Sequence, residues 1–239
     1  MGRSCLVSIC LAMGLGAIAP SPAMAEPVFL TKAVVGEPAS SNIPFTGTIG
    51  ASFWEAAAGG KIKLVCTAGS TSGEVTGAQS VAKVVLVLTG CESGSLKASS
   101  EGKPPGTIET KPLAGKLGGI SPTLPGLKLF SEAEGKVGTV LEASAGGLVA
   151  FKITGEATGS LSGSAGEGPA TGKLLASVNL TFAQSKGFQK YNGFSEGPEA
   201  GLLGSFEWSV QREAFEPIGW SLKQTMKTVP STWGLGITK

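Results

Sequence analysis

The chain contains no histidine and no aspartate; its 17 acidic residues are all glutamate. Without imidazole there is no His base, no Ser-His or Cys-His nucleophile pair and no His-ligated zinc. Without aspartate the EF-hand calcium loop cannot be written. An excess of one charge is also missing. Nineteen Lys and Arg against 17 Glu give a formal net charge of +2, and no basic stripe marks a nucleic-acid partner. Aromatics are few, with one tyrosine, Tyr191. The acid–base groups that remain are Glu, Lys and Tyr191. They leave a paired-Glu glycosidase or a Ser-Lys hydrolase open, and no catalytic residue is assigned.

Long hydrophobic runs are absent after residue 25. The best candidate, Val84 to Leu88, has five residues, too few to span a bilayer. The one longer apolar stretch is N-terminal. Arg3 precedes an uncharged run from Cys5 to Ala19, Pro20 and Pro22 break it, and Ala23-Met24-Ala25 forms an A-x-A site. This order is that of a secretory signal peptide. Residues 1–25 are expected to be removed and residues 26–239 to form one domain in a secreted or extracytoplasmic setting. Removal takes Arg3 and no acid, so the net charge falls from +2 to +1.

What is abundant is glycine, 37 residues, together with period-two alternation. Phe45, Ile49, Ala51 and Phe53 alternate with Thr46, Thr48 and Ser52. Leu174, Ala176, Val178, Leu180 and Phe182 alternate with Ser177, Asn179 and Thr181. Phe206, Trp208 and Val210 form a third set, and Trp220, Leu222 and Met226 a fourth. Such alternation marks strands with one buried face. Val84 to Leu88, apolar throughout, reads as a central strand buried on both faces. Lys61 to Cys66 and Leu148 to Thr154 read as further strands. The pattern predicts an all-β fold, an antiparallel β-sandwich or irregular β-barrel. Its core is expected to include Phe45, Ile49, Phe53, Leu86, Leu88, Phe151, Ile153, Val178, Leu180, Phe206 and Val210. Ser99 to Pro105, Leu113 to Gly126 and Ser160 to Gly172 read as loops. Trp54 to Ala58 reads as a loop or a single helical turn stopped by Gly59-Gly60.

Cys5 and Cys10 fall in the leader, so the mature chain keeps Cys66 and Cys91. In an exported protein this pair predicts a disulfide. Two cysteines alone complete no zinc site, and nothing in the sequence calls for a cofactor or metal. Ser80-Val-Ala-Lys83 and Ser100-Glu-Gly-Lys103 spell S-x-x-K. Ser80 opens a strand, whereas the motif needs a helix, so Lys83 reads as a solvated strand residue.

An ordered series of short segments carries a resemblance. It runs Val65-Cys66, Ser72-Gly-Glu-Val-Thr-Gly77, Val84 to Leu88, Thr89-Gly-Cys91 and Gly106-Thr-Ile-Glu-Thr110. Leu113-Ala-Gly-Lys-Leu-Gly118 and Leu180-Thr-Phe-Ala-Gln184 continue it. Over about residues 28 to 210 the chain resembles a group of exported β-rich proteins of soil actinobacteria, Solirubrobacterales-like, with no assigned activity. The resemblance implies a compartment and a fold but no site residues. It also implies a second cysteine pair in relatives, near Ala98 and near Lys152 or Ile153. Both positions are changed here, which predicts that residues 96–100 lie beside residues 150–154.

The expected function is that of an exported, non-catalytic structural or binding protein of the cell envelope or exterior. Its expected partner is an envelope component or a polysaccharide. The alternative is a carbohydrate-binding protein, with Glu-dependent hydrolysis as an extension. It rests on the late aromatics Phe188, Tyr191, Phe194, Trp208, Trp220 and Trp233. Trp208 and Trp220 fall on apolar strand faces and read as core. Tyr191 and Trp233, among turn residues, are the candidate ligand-binding pair.

Overall fold

The computed structural model describes residues 27–30, 42–57, 63–121, 123–163, 177–191, 194, 206–209, 216–229 and 236–238. Among them lie nineteen strands and no helix. The N-terminal part holds β1 (Val28–Leu30), β2 (Ile43–Ile49), β3 (Ser52–Ala56), β4 (Lys63–Cys66), β5 (Ala68–Gly77) and β6 (Ser80–Thr89). Then come β7 (Glu92–Ser93), β8 (Leu96–Ser99), β9 (Thr107–Glu109), β10 (Leu113–Ser121), β11 (Leu124–Ser131), β12 (Thr139–Ala145) and β13 (Val149–Gly163). The last are β14 (Val178–Phe182), β15 (Gln184–Ser185), β16 (Phe188–Gln189), β17 (Phe206–Ser209), β18 (Glu216–Thr228) and β19 (Gly236–Thr238).

All pairings are antiparallel, and they close on themselves twice. One ring runs β10–β11–β13–β14–β18–β2–β5–β6 and returns to β10. The other runs β13–β12–β8–β7–β4–β3–β18–β17 and returns to β13. The two long strands belong to both. In β13, residues 149–155 serve the second ring and 156–163 the first; in β18, residues 216–221 serve the second and 222–228 the first. Of the two architectures that the alternation allows, the irregular barrel is the one formed. Closure leaves each ring without a free edge. Outside the rings, β9 pairs with the end of β6, β1 with β19 and β15 with β16.

The wall bends between the rings, and the bend explains one error of phase. Ile49 is buried, Gly50 and Ala51 are exposed, and Ser52 is buried again. The neighbouring strand repeats this at Thr67 and Ala68, flanked by Cys66 and Gly69. Two consecutive outward residues shift the alternation by one. Beyond the bend Ser52, Trp54 and Ala56 face inward, and Phe53, expected in the core, is only half-buried. Trp54 to Ala56 is therefore strand β3 rather than loop or helical turn. On the third strand the bend falls at Gly90, with φ +64° and its missing Cβ position 2.2 Å from Thr67 Oγ1. Any side chain there would collide with its neighbour.

The core forms one cluster running through both rings. Phe45, Ile49, Leu86, Leu88, Phe151, Ile153, Val178 and Leu180 are buried. The backbone of Phe206 belongs to β17, while the Phe206 side chain and Val210 lie outside the described residues. Trp220, fully buried where β18 passes between the rings, stacks on Phe182 at 4.4 Å and on Trp54 at 5.5 Å. Val84, Leu86 and Leu88 point inward, but Val85 and Val87 are half-buried, so β6 is central without being covered on both faces.

The stretch from Leu113 to Gly126, which reads as a loop, is β10 and the start of β11. Its glycines make room for large neighbours. A Cβ on Gly115 would lie 2.7 Å from Leu129 Cδ2 and 2.8 Å from Val81 Cγ2. Small barrels fill their taper with alternating large and small residues. The predicted contact between residues 96–100 and 150–154 is not formed. β12 stands between them, pairing Ala98 with Ala145 and Lys152 with Glu142. Two strand spacings, about 9.5 Å, exceed the about 7 Å that a disulfide bridges.

Candidate functional site

Cys66 and Cys91 form a disulfide with Cα atoms 4.0 Å apart and no exposed surface on either residue. They face each other across the bend, in register with β5–β6 above and β4–β7 below. The Cys91 N–H donates to the Gly106 carbonyl and the Ala98 N–H to the Cys91 carbonyl, both at 2.9 Å. The bridge thus fastens β4 to the segments that carry β8 and β9. A bond so buried is a brace.

Beside this brace the second ring is thinly stitched. The ladders β4–β7, β7–β8 and β8–β12 hold two register pairs each. Where β8 and β9 part from β12, Ser100 fills the gap. Its hydroxyl lies 2.8 Å from the Glu142 carbonyl and 3.2 Å from that of Glu109, and it accepts the Glu109 N–H at 3.1 Å. Outside this tie lies a groove of about 1040 Å³, lined by Ser99 to Glu101, Lys103, Glu109 to Pro112, Glu142 to Ser144 and Ala150 to Lys152. A second hollow of about 580 Å³ continues it past Lys111, Glu142 and Lys152 to Glu132 and Glu134.

Lys103, Glu109, Lys111, Glu142 and Lys152 in the groove are paired but accessible. Glu142 offers Oε2 to Lys111 Nζ at 3.5 Å and Oε1 to Lys152 Nζ at 3.7 Å. All three side chains are about half exposed (56%, 47% and 50% for Lys111, Lys152 and Glu142). Such pairs exchange partners at little cost. Lys103 reaches Glu109 at 2.5 Å. Glu132 accepts the Lys83 N–H at 3.1 Å and Glu134 the Thr139 N–H at 2.8 Å, which fixes both acids on the rim of the smaller hollow. Among the described residues the one aromatic lining the groove, Phe151, is buried at 2% exposure. Among the described residues no group of three or more His, Cys, Asp or Glu is placed to hold a metal ion.

The expected ligand-binding pair is only half visible. Tyr191 is half-buried beyond the β15–β16 hairpin, with Lys190 Nζ 5.8 Å from its ring centre. Trp233 lies outside the described residues. Phe188, on the same hairpin, is 55% exposed. In both S-x-x-K segments the lysine sits on a glutamate: Lys83 on Glu74 at 3.1 Å and Lys103 on Glu109. Ser80 Oγ accepts from Thr76 and Ser100 Oγ is held by main chain. Neither serine is presented as a nucleophile.

One charged feature escapes sequence reasoning. Lys128 and Glu156 are buried, with Nζ 3.4 Å from Oε1, under the Phe194 ring 4.8 Å from Nζ. They project from adjacent strands of the first ring. The signal available was a lone lysine inside Leu127-Lys128-Leu129-Phe130. No protein family, curated protein or solved structure matches the chain.

Proposed function

We propose that the protein is an exported, non-catalytic structural or binding protein of the cell envelope or exterior, and that it binds through the charged groove. The observation that carries this reading is the groove itself: an open, two-signed surface on a closed barrel, braced by a buried disulfide. The leader-like residues 1–25 and the disulfide support export. The described residues hold no helix long and apolar enough to cross a membrane. Co-sedimentation with isolated actinobacterial cell envelopes tests the reading. The mature protein should sediment with them, and a Lys111→Ala/Lys152→Ala variant should be released. Equal sedimentation of the two would remove the groove as the binding site.

Carbohydrate binding is the second reading, favoured by one observation: Glu109 and Glu142 line the same groove. A sugar site usually stacks rings on exposed aromatic faces, and the described part of the groove offers none. A glycan array with the mature protein decides between them. Saturable binding to neutral oligosaccharides would replace the first reading with this one.

A further inference from the structure

We infer that the groove takes a short peptide carrying both a free carboxylate and a free amine. This inference rests on the reading of the protein as a binding module. Its starting point is the knot at the junction of the two hollows, where one carboxylate, Glu142, is divided between two ammonium groups. Two cations sharing one anion, all about half exposed, form a seat for a second carboxylate. The smaller hollow leads from this seat to Glu132 and Glu134, whose positions are fixed by backbone N–H groups. Those acids suit an ammonium group. A ligand lying along the hollows therefore meets cations at the junction and anions beyond it. A polyanion would be repelled by the acidic rim. A neutral sugar would add no charge to the knot and would find no exposed aromatic face among the described residues of the groove. Hollows of about 1040 and 580 Å³ accommodate a few residues of extended chain.

Glu142 then plays a second part. It already pairs with both lysines and competes with the incoming carboxylate. Removing its charge should strengthen binding, the opposite of what loss of a ligand contact would do. Calorimetric titration tests this with tetra-alanine with free termini, its N-acetylated form, its C-terminally amidated form, chitotetraose and polyphosphate. The free peptide should bind, and amidation should weaken it about tenfold or more, the worth of a charge-assisted contact. Acetylation should weaken it as well. Lys111→Ala/Lys152→Ala should abolish the difference between free and amidated peptide, and Glu142→Gln should tighten the free peptide several-fold. Tighter binding of chitotetraose or polyphosphate than of the peptide would overturn the ligand class and leave the binding reading standing. Failure of every probe, together with equal sedimentation of wild type and double variant on envelopes, would overturn both. Unchanged or weaker peptide binding by Glu142→Gln would remove the competing role.

Discussion

The two rings have the same number of strands and share two of them, yet their walls differ. In the first, β5–β6 and β10–β11 hold eight register pairs each and β2–β5 holds seven. In the second, three successive ladders hold two pairs each. Where backbone pairing is dense, the wall is continuous and its interior is filled by large apolar side chains packed against glycine. Where it thins, side chains take over the joining, through the disulfide and the Ser100 hydroxyl. The groove opens in that thin wall. The candidate site thus lies where the ladder runs short, and its rigidity depends on a few named bonds.

The largest effect expected is at the joint between the rings. Trp220→Ala should cost about 3–5 kcal/mol, the range for emptying a buried aromatic site, read from the denaturant midpoint. Because Trp220 packs on Phe182 of the first ring and Trp54 of the second, one cooperative transition should shift as a whole. Two separated transitions would break the picture of a shared core. Removing the disulfide with Cys66→Ala/Cys91→Ala should cost about 3–4 kcal/mol for a 25-residue separation. Hydrogen exchange should then rise around β7, β8 and β9 before β5 and β6. Uniform loss of protection would mean that the thin wall is no weaker than the dense one. Ser100→Ala should cost about 1–2 kcal/mol, because it strips a partner from part-buried main chain, with the change confined to the groove. Glu142→Gln should alter stability least, by under about 1 kcal/mol, as half-exposed ion pairs do. A larger loss would make Glu142 a strut of the wall.

Strand character was legible because alternation with period two survives in β2, β14 and β18. Its limits have physical causes. Gly50-Ala51 puts two residues outward, so Phe53 and Trp54 exchange the roles that strict alternation gives them. Gly115 and its neighbours resemble loop because glycine in a barrel interior answers to a side chain from another strand, which local sequence does not display. Gln224 stands among Trp220, Leu222 and Met226 and is 1% exposed; composition alone would turn it outward. The disulfide followed from cysteine count and the expected export. The groove did not, because Lys111, Glu142 and Lys152 come from three segments and meet only when β12 and β13 pair. The contact expected between residues 96–100 and 150–154 is interrupted by β12, which pairs with both segments.

The strand β18 closes both rings against β2 and β3, segments more than 160 residues earlier in the chain. This placement sets an order in time. Until residues 216–228 arrive, neither ring can shut, and the edges of β2 and β3 and of β14 and β17 stand unpaired together. Pairing across such a distance is slow, because loop closure must precede its reward. Any chain ending before Glu216 would lack a stave of both barrels at once, leaving open strands that recruit other chains in place of a partially folded domain.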